Sequence, residues 1–273
     1  MTPADLTRTV LHTVRRAVEA DELCAVVPER VTVRVPPRPA CGDYATNVAL
    51  RIAQDTGRPA LDIAEVLRRR LVREPGIAAV DIAGPGFLNI TLAGATQAEL
   101  VRGLLGDRET GPPLPLPEPD PALLRRLGTD AARWSLLCPP GLDRDLLLAQ
   151  RESNPLFRVR YAHARSQALL RNARDLGFSP EAGDIHSEDA GALLAHLADH
   201  ARVSATRAPD RLARHLERLA DAFLRWTAAC PTLPRGDEKP SAVHRARLAV
   251  AEASGKVLAD GLHQLGITAP AHL

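Results

Sequence analysis

Asn154-Pro155-Leu156-Phe157-Arg158-Val159-Arg160-Tyr161-Ala162-His163-Ala164-Arg165 opens the second half of this chain and decides how that half is read. It begins a helix expected over 154–176. Three more are expected at about 188–203, 209–229 and 241–265, with a loop from Pro231 to Pro240. Phe157, Tyr161 and Arg165 fall at i, i+4 and i+8, so they share one helix face. Asn154 and Arg158 lie close to it. From Asn154 to Arg174 there are five arginines, Arg158, Arg160, Arg165, Arg171 and Arg174, and no acid. On a chain of net charge +2, such a stripe is either a phosphate footprint or a solvated helix face.

The first half follows a different pattern. Leu6, Val10, Val14, Ala17 and Val18 recur at helical spacing. Val31, Val33 and Val35 alternate with Thr32 and Arg34, a strand ended by Pro36-Pro37. Asp43 is expected to cap a helix from Tyr44, stopped by Gly57. Another helix spans about 60–73, with Ile63, Val66, Leu67 and Leu71 on one face. Val80-Asp81-Ile82 and Phe87 to Leu92 read as a hairpin across Gly84-Pro85-Gly86. In the second strand Leu88, Ile90 and Leu92 would face the core, and Phe87, Asn89 and Thr91 the other side. Phe87 beside Asn89 suits base stacking next to a hydrogen-bonding edge. It equally suits a ring covering the second sheet face and an amide pinning a turn.

Between the halves, residues 94–121 read as a linker. Pro112, Pro113, Pro115, Pro117, Pro119 and Pro121 make it a stiff extended spacer or a disordered one. Residues 122–150 form a bridge, read as a helix and a turn at Pro139-Pro140-Gly141.

Composition narrows the field. Hydrophobic residues make up 45% of 273 positions, enough for two modest domains with cores. Aromatics are scarce, so Leu, Val, Ile and Ala must fill them. No apolar run approaches the ~20 residues of a membrane span. The N-terminus lacks a signal-peptide pattern, with Asp5, Arg8, Arg15 and Arg16 breaking it. Cys24, Cys41, Cys138 and Cys230 form no CxxC pair, which fits a reducing cytoplasm and argues against structural zinc. No metal site and no cofactor is expected. His196 and His200 stand at i, i+4 near Asp199, but a polar helix face explains them.

Five stretches, in the family's order along the chain, resemble arginyl-tRNA synthetase. Gly42-Asp43-Tyr44-Ala45-Thr46-Asn47, after Cys41, and Ala83-Gly84-Pro85-Gly86-Phe87-Leu88-Asn89-Ile90 resemble its N-terminal additional domain. The 154–165 stretch resembles the opening helix of its anticodon-binding domain of the DALR type. Leu127-Gly128-Thr129-Asp130-Ala131-Ala132-Arg133-Trp134 and the segment from Gly261 to Pro270 resemble the family's bridge and C-terminal end. The resemblance implies an α+β N-terminal domain, a small mixed sheet with helices, over 1–93. An all-α helical-bundle anticodon-binding domain would follow over 151–273.

It also implies roles. Phe87 and Asn89 would meet the tRNA D-loop. Asn154, Phe157, Arg158, Tyr161, Arg165, Arg171 and Trp226 would meet the anticodon stem-loop, with aromatic planes on bases and guanidinium groups on phosphates. Phe157, Tyr161, Ala164 and Ala168 could instead be a core face, and Trp226 a core residue. The chain departs from the family where Arg158 replaces a second aromatic, Arg160 replaces a glutamine, and Leu273 stands where a methionine is common. The two arginines favour backbone contacts over base reading.

In the family a catalytic domain separates the two ends. Here only about 60 residues do, short of the ~100 a domain needs. No HxGH signature occurs, and Lys239 and Lys256 stand in no ATP-gripping loop. The expected function is therefore a non-catalytic, cytoplasmic tRNA-binding protein, with arginine tRNA as one candidate. The alternatives are a protein-interaction module and a partner subunit of a split arginine-tRNA ligase.

Overall fold

The computed structural model describes residues 3–34, 36, 42–106, 110–139, 141, 143–185 and 190–273. Val35, Pro37, Cys41, 107–109, Pro140 and 188–189, used in the sequence reading, lie outside them. The chain divides into one unit of residues 1–100 with 186–198, and a second of 101–185 with 199–273.

The first unit is built on helices α1 (Pro3–Glu19), α2 (Val48–Thr56) and α3 (Ala60–Leu71), and strands β1 (Val33–Arg34), β2 (Tyr44–Thr46), β3 (Ile77–Ala83) and β4 (Phe87–Leu92). The sheet runs β1-β2-β4-β3, antiparallel throughout rather than mixed. Leu6, Val10 and Val14 of α1, Ile63, Leu67 and Leu71 of α3, and Leu88 and Ile90 of β4 share one core. The apolar periodicity of both helices is thus spent on one sheet face. Gly57 ends α2 in the left-handed region at φ 70°, its N–H on Ala53 O, a conformation that favours glycine.

Asp43 does not cap a helix at Tyr44. Residues 44–46 pair with β4 as a strand, and α2 starts at Val48. The Asp43 carboxylate instead accepts the Leu92 N–H at 2.8 Å. Burial pushes its pKa up against the bonds from Leu92 and Gln97. It ties the start of β2 to the end of β4.

The expected linker is partly helical. Helix α4 (Gly94–Leu105) follows the sheet directly. Residues 110–120 have no regular secondary structure, and they are pinned: Gly111 N–H donates to Asp260 and Leu114 N–H to Gln264 O, both at 2.8 Å. The bridge is two short helices, α5 (Pro121–Leu127) and α6 (Thr129–Ser135), then a 3-10 turn at Arg144–Leu148.

Helices α7 (Pro155–Asp175), α8 (Ala190–Ala205), α9 (Pro209–Ala229) and α10 (Ala242–Gln264) follow. In the second unit α7 packs on α9 and α10. It buries Leu156, Val159, Ala162, His163 and Ser166. The α10 face is small: a Cβ on Gly255 would lie 2.2 Å from Ser166 Oγ. That absence of a side chain lets the two helices approach closely.

Candidate nucleic-acid interface

In the helical unit the start of α7 is fixed by Asn154. Its Oδ1 accepts the Phe157 N–H at 3.0 Å, and its Nδ2 donates to Leu147 O and Ala149 O at 3.0 and 2.8 Å. It is buried, with both ends of its amide engaged. Its amide is thus committed to fixing the start of α7.

One turn on, Phe157 and Tyr161 stack with centroids 5.8 Å apart and planes 19° apart. Tyr161 is 41% exposed and Phe157 half-buried. The helix buries residues 156, 159, 162, 163, 164, 166 and 173, so of the alternative core face of Phe157, Tyr161, Ala164 and Ala168 only Ala164 is buried. Beside it lies a groove of about 350 Å³ whose lining includes Phe157, Arg160, Leu127, Leu148 and Leu273. An exposed ring stacked on a half-buried one, next to a groove of mixed polarity that also presents Asp130, Gln150 and Arg160, can accept the faces of unstacked bases.

The arginines behave differently from the expected free stripe. Arg158 reaches Asp221 at 3.1 Å and Glu217 at 3.8 Å on α9, and donates to Glu152 O at 2.8 Å. Arg160 pairs with Asp130 at 3.2 Å and donates to Thr268 Oγ1 at 2.7 Å. Arg165 donates to Thr227 Oγ1 at 3.4 Å, and Arg171 to Ala271 O at 3.2 Å. The added charges at 158 and 160 are therefore balanced inside the protein. Burial raises the Glu217 pKa and Asp221 adds to the rise, while Arg158 opposes them.

Trp226 is 2% exposed and packs against Phe223, with centroids 6.4 Å apart. In this structure it offers no stacking surface. His163 is buried, and its Nδ1 bonds Pro270 O at 2.9 Å. Burial holds its pKa below the usual imidazole value. His200 pairs with Asp260 at 3.0 Å. Among the described residues no His, Cys, Asp or Glu group could hold a metal.

In the sheet unit, Phe87 is 41% exposed, on the face opposite the buried Leu88 and Ile90. Asn89 shares its face but is only 7% exposed, so it is less open than strand alternation predicts. The reason is its central strand. Its cross-strand neighbours are Ala45 of β2 and Asp81 of β3, and Arg34 pairs with Ala45 one strand further out. Arg34–Ala45–Asn89–Asp81 thus forms a row across the sheet, with Phe87 beside it.

Sequence reasoning missed Glu217, Asp221, Asp130 and Thr268 as partners of the arginines. Only Glu217 and Asp221, at i, i+4 on one helix, left a local signal that an acidic face meets α7.

Residues 5–92 match the family described as the arginyl tRNA synthetase N terminal domain, and residues 159–273 match the DALR anticodon binding domain. Similar solved structures include a Campylobacter jejuni chain described as an arginyl tRNA synthetase. It is 20% identical with a TM-score of 0.45, covering 56% of this chain and 35% of that one. Another is Thermus thermophilus arginyl-tRNA synthetase, 22% identical with a TM-score of 0.42, covering 66% and 31%. The chain spans about a third of the length of each.

Proposed function

We propose, for a chain that joins an arginyl tRNA synthetase N terminal domain to a DALR anticodon binding domain, that it binds tRNA and performs no aminoacylation itself. The observation that carries this reading is the stacked pair of half-buried Phe157 and exposed Tyr161, on the helix that leads into the DALR-matching region. The pair takes unstacked bases of the anticodon loop, while Arg165 and Arg171 meet the backbone of its stem. Phe87, with Asn89 beside it, takes a base of the D-loop. Two further facts support a non-catalytic role: the matched regions leave 93–158 between them, and no adenylation signature occurs in the sequence.

The test is retention of total tRNA by the purified protein at two salt concentrations, followed by sequencing of the bound RNA. Binding that weakens with salt and falls on Phe87→Ala, Tyr161→Ala and Arg171→Ala is expected. Enrichment of arginine tRNAs would extend the reading to specificity. Binding unaffected by all three substitutions would overturn the surface.

A second reading has its own observation. Arg158 and Arg160 are neutralised internally, which removes two cations from the α7 face. A protein-interaction module, including a partner of a separate catalytic chain, would show no tRNA binding at low salt.

A further inference from the structure

We propose that Arg158 is a phosphate-binding site that the free protein occupies itself, with the Glu217 and Asp221 carboxylates standing in for an RNA phosphodiester. The inference rests on the RNA-binding reading above. It adds an element which that reading does not contain: two acids on α9 that hold the site closed.

The geometry carries it. Arg158 follows Phe157 in sequence, and its guanidinium turns to Glu217 and Asp221 of α9 while donating to Glu152 O at 2.8 Å. One cation faces two carboxylates one helical turn apart, at 3.1 and 3.8 Å. A guanidinium is best satisfied by two parallel N–H···O bonds to one planar or tetrahedral oxyanion. The acids do not supply this. Arg158 Nε lies 3.1 Å from Asp221 Oδ1 yet finds no aligned acceptor, and it is buried. The charge is balanced but the fork is not. The Glu217 and Asp221 carboxylates also repel each other, which helps hold the Glu217 pKa up.

A phosphodiester brings one charge and two equivalent acceptor oxygens, the match the fork lacks. It must, however, displace the two acids and then lie near them. A phosphate alone gains little from this exchange. An RNA that also stacks a base on Phe157 and Tyr161 gains enough. Glu217 and Asp221 thus act as a selectivity filter, admitting unpaired RNA over bare backbone.

The experiment measures anisotropy of labelled total tRNA with the full chain across a salt series, in a double-mutant cycle. Glu217→Gln with Asp221→Asn is expected to tighten binding about fivefold. It should steepen the slope of log Kd against log salt by about 0.7, one added phosphate contact. The gain should vanish in an Arg158→Ala background, and Arg158→Lys should recover only part of it, since lysine keeps the charge without the fork. Thermal melts establish that each variant is folded, and Glu217→Gln alone serves if the double variant is not. No gain from the acid substitutions, or a gain that persists without Arg158, overturns the proposal while tRNA binding by the wild type stands. Absence of tRNA binding in every variant overturns both.

Discussion

Asn154, expected as an anticodon stem-loop contact, and Trp226, expected as either such a contact or a core residue, are both buried in the helical unit. Asn154 is a cap with a second hand on Leu147 and Ala149. Asn154→Ala should lower unfolding free energy by about 2 kcal/mol, the sum of a lost cap and two buried bonds, read from urea denaturation. Trp226→Ala should cost about 3–5 kcal/mol by opening a cavity beside Phe223. Tyr161→Ala is the contrasting case: at 41% exposure it should leave the melt nearly unchanged. It should weaken RNA binding by about tenfold, the loss of one stacked base. A Tyr161→Ala variant that binds RNA like the wild type would rule out the platform. Residue type and spacing identified these side chains as special but not which way they point. Asn154 is indistinguishable in sequence from a base-reading amide until Leu147 and Ala149 fold back to meet it.

At the scale of the element, the long helices were legible because 3.6-residue periodicity is written within each segment. Helices α7, α9 and α10 lie within two residues of their expected ends. Strand β2 was not legible. Three residues carry almost no periodicity, and the evidence for a strand is a partner far along the chain: Asp43 bonds Leu92 across 49 positions. Helix α4 was hidden by the proline-rich run after it. The α7–α10 crossing was equally silent, since the need for glycine at 255 appears only with Ser166 opposite. Gly255→Ala should therefore destabilise by about 1–2 kcal/mol despite a helix-propensity gain of about 1 kcal/mol, measurable by chemical denaturation. The segment 266–273 offers a pH test. His163 bonds Pro270 O, and burial holds its pKa below the unfolded value of about 6.5. The stabilisation is full above that pH and is lost as pH falls toward and through the folded value. Protection of the amides flanking Pro270, after correction for the slower intrinsic exchange at low pH, should fall as pH is lowered from 7 through the unfolded value and below, and His163→Asn should flatten that dependence.

For the whole molecule, residues 5–92 and 159–273 carry the two family matches, and the proposal that the chain performs no aminoacylation is open to direct test. The expected result of incubating the chain with arginine, ATP and tRNA is no arginyl-tRNA, checked by acid-gel separation of charged and uncharged tRNA. Formation of the ester would end the non-catalytic reading. No helix among the described residues is long and apolar enough to cross a membrane. The division of the chain carries a further implication. The first unit takes residues 1–100 and then 186–198, and the second takes the stretches on either side of that return. Whoever tries to study the two halves apart will find no seam to cut. A break between 101 and 185 would strip the sheet unit of its returning piece, and a break after 198 would divide α8 and leave each product with a torn helix.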